Sequence, residues 1–162
     1  MQQRAAELIA TLDLRPHPEG GFYREVFRSE SRVVRGGDSS ERAGLTTIYF
    51  LLPRGPVSRL HQVDSDEVWH LYEGGPLELF AVNPAGDTVT RHRVESVGNG
   101  TGAPVCVVPA GFWQAARSLG AYTLVGCTVG PGFEFSDFRM LADNRELAAA
   151  VVAACPAMAE FV

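Results

Sequence analysis

TTIYFLLPRGPVSRLHQVDSDEVWHLYEGGPLELFAV, residues 46–82, reads as four strand-length runs parted by three tight turns. TTIYFLL (46–52), VSRLHQV (57–63), EVWHLY (67–72) and LELFAV (77–82) are rich in β-branched and aromatic residues. PRGP, DSD and EGGP punctuate them with the residues that turns demand. Connections this short cannot hold a parallel crossover, which needs a helix or about a dozen residues. The sheet they predict is antiparallel.

The same pattern extends in both directions. FYREVF (22–27) starts a strand after a Gly20–Gly21 turn, and NPAGD (83–87) is a hairpin turn leading into TVTRHRV (88–94). SVGNGTGAP (96–104) is a longer turn, VCVV (105–108) a strand, PAGF (109–112) a turn, and AYTLVGCTV (121–129) an eighth strand. TTIYFLL and LVGCTV are apolar on both faces, which predicts strands covered on two sides or an oligomer interface. A closed or double-layered barrel also removes exposed edges. Residues 29–44, polar and Gly-rich, predict a mobile loop or an extended excursion. A short helix is expected at about 4–12, with Leu8, Ile9 and Leu12 on one stripe, before Pro16 and Pro18. A helical tail is expected at about 144–161, broken at Pro156. The expected architecture is one all-β domain over residues 1–162, with its barrel at about 20–138 and short helices at each end.

Composition narrows the function classes. The net charge is −5, and all 14 basic residues are arginine. Arg24, Arg28, Arg32 and Arg35 are interleaved with acids rather than clustered, so nucleic acid is not an expected partner. Cys106, Cys127 and Cys155 show no CxxC spacing and read as reduced thiols. No apolar run approaches the roughly 20 residues of a membrane span, and the N-terminus lacks a signal-peptide pattern, so the expected location is cytoplasmic.

Five stretches carry a family resemblance: HPEGGFYRE (17–25), IYFLL (48–52), SRLHQVDSDEVWHLYEGGPLEL (58–79), VVPAGFWQA (107–115) and LVGCTVGPGFEFSDF (124–138). In this order they resemble the cupin superfamily, and within it the small single-domain cupins with an HPEGG-type opening. The resemblance implies a double-stranded β-helix, or jelly roll, with a ligand pocket inside, and a homodimer. Gly55, His61, Glu67 and Gly74 match the first cupin signature, with Val63 where a second histidine would stand. Pro109, Gly111 and Gln114 match the second, with glutamine in place of its last histidine. The metal set of the family is thereby reduced to His61, Glu67 and Gln114, so the expectation is no cofactor, or one divalent transition metal on those three. Metal-free cupins such as deoxysugar epimerases show that the barrel also supports acid–base chemistry.

Strand periodicity of two gives the candidate site its shape. Arg59, His61 and Val63 share one face of a strand, and Glu67, Trp69 and Leu71 one face of the next, with His70 opposite. Charges on an inner wall are costly unless paired, so they predict either a polar pocket or a closed network in which Glu67 neutralises Arg59 or His61. His61 is the expected base, oriented by Glu67. Tyr23, Tyr49 and Tyr122 are candidates for the opposing acid. Arg24, Arg28 and Arg59 are candidate anion anchors, while Trp69 and Trp113 stack on a ring or pack the core; Gln114 and Tyr23 complete the expected ligand-binding set. The expected ligand is small and polar or anionic, a sugar nucleotide being the example, and the expected chemistry is epimerisation or isomerisation. Two alternatives are a non-catalytic ligand-binding or sensing cupin and a metal-dependent oxygenase, isomerase or lyase.

Overall fold

The computed structural model describes residues 2–36, 39–98 and 100–162. Along the chain come α1 (Gln2–Thr11), β1 (Arg15–Pro16), β2 (Phe22–Arg28), β3 (Arg32–Val34), β4 (Glu41–Ala43), β5 (Thr46–Pro53), β6 (Val57–Gln62) and β7 (Asp66–Gly74). There follow β8 (Leu77–Val82), β9 (Val89–Val94), β10 (Val105–Val108), β11 (Trp113–Ser118), β12 (Tyr122–Gly130), β13 (Arg139–Met140) and α2 (Arg145–Ala154). Short 3-10 turns lie at Phe135–Asp137, Leu141–Asp143 and Pro156–Phe161.

Two antiparallel sheets form the barrel. One has the order β1-β2-β5-β12-β7-β10 and the other β13-β6-β11-β8-β9. Phe50, Leu52, Trp69, Leu79, Val94 and Val125 meet between them. Helix α1 covers part of the outer face of the first sheet, where Ala5 and Leu8 pack on Leu51 and Leu124. Helix α2 and the last 3-10 turn cover the second, where Val151, Met158 and Phe161 pack on Leu60, Phe80 and Trp113. Both faces of β8 are therefore covered, which is why every residue of LELFAV is buried. Its one acid, Glu78, is neutralised there by Arg117 at 2.6 Å and by Arg91. No described helix is long and apolar enough to cross a membrane.

The structure departs from the sequence expectation in two places. Strand β11 has no counterpart among the eight expected strands, because Ala115, Ala116 and Arg117 have little intrinsic β-preference. It forms because it lies in the middle of its sheet, paired with β6 on one side and β8 on the other. The polar excursion at 29–44 contains a small antiparallel pair, β3 with β4; Gly37 and Asp38, between them in sequence, lie outside the described residues.

Two bulges decide which side chains face inward. Between β2 and β5 the register shifts between Glu25 and Phe27, so Tyr23, Glu25 and Arg28 all face the barrel interior. In β6, Ser58 pairs with Ala116 and His61 with Gln114, so three residues advance on one strand against two on the other. A bulge of this kind inserts one residue and reverses the alternation beyond it. Ser58 and His61 both turn inward and Arg59 turns out.

Candidate functional site

The site begins at a turn remote in sequence from the barrel signature. His17-Pro18-Glu19-Gly20 closes with the Gly20 amide donating to the His17 carbonyl at 3.0 Å, and the His17 amide donates to the Gly21 carbonyl at 3.0 Å. Gly20 has φ +114°, and a Cβ there would overlap the Val57 carbonyl oxygen. Only glycine accommodates both the dihedral and that approach. The Arg59 amide donates to the Glu19 carbonyl at 2.9 Å, which docks the turn on β6. The Glu19 side chain is thereby driven into the barrel.

Inside, the Glu19 carboxylate lies between two imidazoles. Its Oε2 is 3.2 Å from His17 Nδ1 and 3.2 Å from His61 Nε2, while Oε1 accepts a 2.7 Å bond from the Ser58 hydroxyl. His61 Nδ1 lies 2.8 Å from the Arg59 carbonyl, which only accepts, so that nitrogen carries a proton. His61 Nε2 faces Glu19 Oε2 at 3.2 Å, a contact that a proton on either atom would close. Both His61 nitrogens are thus engaged within the protein. His17 Nδ1 is contacted by the Glu19 carboxylate at 3.2 Å and by the Glu19 amide at 3.3 Å, whereas its Nε2 has no hydrogen-bond partner among the described residues. Burial works against ionisation of Glu19, but the His61 charge and the bonds from His17 and Ser58 outweigh it and hold the carboxyl below its usual range.

Glu67 lies in the opposite environment. Its Oε2 accepts one 2.5 Å bond from the Gln114 amide, and the Gln114 Oε1 accepts from the Trp69 indole at 3.0 Å. Burial pushes the Glu67 carboxyl above the ordinary range, and the neighbouring Glu19 charge adds to the effect against the pull of His61. Burial likewise pushes the Cys127 thiol beside it well up. Both glutamates line one cavity of about 140 Å³. Aromatic rings supply much of its wall: Tyr23 meets His17 edge-on at 4.5 Å, and Phe138 stacks on His61 at 5.4 Å. Phe133 and Phe135 stand at the mouth with Glu25, Arg28 and Glu134.

A family model described as the cupin superfamily (DUF985) matches residues 6–141. The chain belongs to that family. A hypothetical protein from Leishmania major is 30% identical to this cupin, with a TM-score of 0.83 and coverage of 97% of this chain and 96% of that one. A protein from Shewanella oneidensis is 31% identical, with a TM-score of 0.84 and the same coverage. Oxalate decarboxylase from Bacillus subtilis, 19% identical with a TM-score of 0.58, covers 88% of this chain and 34% of its own, a likeness of fold alone. No curated protein matches the chain.

The structure sorts the residues singled out by sequence. His61, Glu67, Trp69, Tyr23 and Arg28 line the cavity of this cupin, and Gln114 lies behind Glu67. Tyr49 and Tyr122 do not: they lie on the other face of the first sheet beside α1, where the Tyr122 hydroxyl donates to Glu73 at 2.6 Å. Arg24 pairs across from Tyr49 on that outer side and donates to the Leu12 carbonyl at 3.1 Å. The bulge in β6 turns Arg59 outward, where it donates to the Pro18 carbonyl at 2.8 Å. Trp113 packs under the C-terminal helix. Sequence reasoning did not place His17 and Glu19 at the centre of the site, nor Phe133, Phe135 and Phe138 in its wall. The consecutive Gly20 and Gly21 were the available signal, since paired glycines after a proline mark a turn pressed against other backbone.

His61, Glu67 and Gln114 do not fit a metal ion. The Trp69 indole only donates, so it fixes the Gln114 oxygen on itself and turns the amide NH₂ toward Glu67. An ion between Glu67 and Gln114 would meet a donor group, and the His61 nitrogens are already directed to Glu19 and Arg59. Among the described residues no group of three or more His, Cys, Asp or Glu side chains is gathered to hold a metal.

Proposed function

We propose that this cupin binds a small polar ring compound and moves protons on it, in the manner of an isomerase or epimerase. The observation that carries this reading is the division of labour between two buried glutamates on one cavity. Glu19 sits among donors that favour its anion, and Glu67 sits where the neutral acid is favoured. Environments that separate two titratable groups in this way assign a base side and an acid side. In the tautomer whose Nδ1–H is turned to the Glu19 carboxylate at 3.2 Å, in place of accepting from the Glu19 amide, His17 presents the Nε2 lone pair as base. That nitrogen takes a proton from a carbon next to a carbonyl while Glu67 donates its proton to the carbonyl oxygen, leaving an enol. A solvent water gives a proton to the carbon from the other face, the His17 proton passes to the hydroxide so formed, and the enol proton returns to Glu67, which completes an epimerisation.

Arg24 and Arg59 lie outside the cavity and Arg28 at its mouth is bound to Glu25 and Glu134, so the sugar-nucleotide version of the ligand loses its phosphate anchors. A cavity of about 140 Å³ suits a single six-membered ring, since an engineered cavity of about 150 Å³ holds benzene. The test is wash-in of solvent deuterium, followed by NMR, on hydroxy-carbonyl compounds of that size that raise the melting temperature. Exchange is expected with the native protein and is expected to fall by about 100-fold in His17→Ala and in Glu67→Gln. Ligands that bind without exchange would instead favour a binding or sensing cupin.

The three cysteines are unpaired, which supports action in a reducing compartment such as the cytoplasm. A second copy of the chain is supported by a row of outward residues running straight across five strands: Phe27, Thr47, Thr128, Val68 and Val107. Phe27 and Val107 are half-exposed, and Tyr72 and Val105 extend the apolar surface. Sedimentation velocity is expected to report a dimer that Phe27→Glu with Val107→Glu converts to monomer. A wild-type monomer at micromolar concentration rules this out.

A further inference from the structure

We infer that the ligand of this cavity carries a positive charge, as a protonated amine on a single ring; the inference rests on the small-ligand reading above. The lining decides it. At the mouth stand two carboxylates, Glu25 and Glu134, against one guanidinium, Arg28, the sole cationic side chain besides the histidines among the described lining residues. Arg28 is already occupied. Its Nε and Nη2 donate to both Glu25 oxygens at 3.0 and 2.8 Å, its Nη1 to Glu134 at 2.8 Å, and its Nη2 also to the Phe133 carbonyl at 3.0 Å. An incoming anion would have to displace these bonds and would face the second carboxylate.

Deeper in, Glu19 lies 3.2 Å from His61 Nε2, and Glu67 adds no positive charge in either of its forms. At the mouth two carboxylates face one guanidinium, a local excess of one negative charge. Aromatic rings line much of the rest of the wall, among them Tyr23, Trp69, Phe133 and Phe135, beside aliphatic Ile48 and Val63. The face of an aromatic ring attracts a cation and repels an anion, and the effect grows once water is excluded. Charge and quadrupole thus favour the same sign of ligand, and Glu134 keeps its second oxygen for an ammonium group, with no partner for it among the described residues.

The test uses three rings of one shape, cyclohexylamine, cyclohexanol and cyclohexanecarboxylate, titrated calorimetrically at neutral pH. The amine is expected to bind at least about tenfold more tightly than the alcohol, a difference of about 1.4 kcal/mol, and the carboxylate most weakly. Added salt weakens the amine and leaves the alcohol unchanged. Glu134→Gln, an exposed position where folding is not at stake, narrows the amine's advantage several-fold. Equal binding of the three, tighter binding of the carboxylate, or no binding of the amine overturns the inference. Each of those results leaves the proton-transfer reading standing, since that is read from isotope exchange and not from ligand charge.

Discussion

Glu19→Ala is expected to lower the unfolding free energy by about 3–5 kcal/mol, the scale for removing one partner of a buried ion pair. The carboxylate contacts three groups at once, so its loss removes the partner of the His61 Nε2 and of the Ser58 hydroxyl, while the His17 Nδ1 keeps only the backbone amide of residue 19. Each buried polar group that loses its protein partner costs free energy. Chemical denaturation near pH 7 measures the loss. The pH dependence gives a second check. The Glu19 pKa is depressed in the folded state, so the unfolded chain binds more protons below the ordinary carboxylate range. The stability contributed by Glu19 is complete above that range and disappears as pH falls through the folded value. Wild type and variant should therefore converge on acidification. A gap that stays constant down to acid pH would mean that Glu19 is not ionised in the fold.

Gly20→Ala should be nearly as damaging although it adds one methyl group. The residue sits at φ +114°, and its new carbon would strike the Val57 backbone oxygen, which cannot swing aside as a side chain would. Backbone strain of about 1–3 kcal/mol and overpacking of about 1–3 kcal/mol combine to a loss of roughly 2–6 kcal/mol. The turn also carries His17 and Glu19, so the variant should lose ligand-dependent stabilisation along with fold stability. Gly55→Ala is the control: it has a similar φ of +104° but open space around the new carbon, and should cost only the backbone part. Equal losses at the two positions would show that close approach to β6 is unimportant.

Much of the fold was legible because β5 to β8 are β-branched and aromatic runs of strand length and the turns between them are short, with glycine and proline in two of the three. The inward set of β7, Glu67 with Trp69, followed from alternation along the strand. Where the alternation breaks, sequence reasoning broke with it. Counting by twos from His61 puts Arg59 inside, and the same count gives Arg24 and Arg28 one face. A bulge between each pair reverses the parity, and nothing local in VSRLHQ or FYREVF announces it. Strand β11 was invisible for a different reason: its alanines are strand only because β6 and β8 hold them. The contact of Glu19 with His61 spans more than forty residues and depends on how β1–β2 docks on β6, a tertiary fact with no periodic signature.

The aromatic stretch from Phe133 to Phe138 is fastened at both ends. Near one end the Phe133 amide donates to Thr46 Oγ1 at 3.0 Å and its carbonyl accepts from Arg28. Near the other, Asp137 takes two bonds from Arg42 at 2.8 and 2.7 Å and lies 2.9 Å from Arg35. A segment clamped this way behaves like the fixed jaw of a caliper: its gap is set by the frame before anything arrives. On the ligand-binding proposal above, admission is then expected to depend on girth, so that a flat ring binds where a branched or fused one of equal polarity does not.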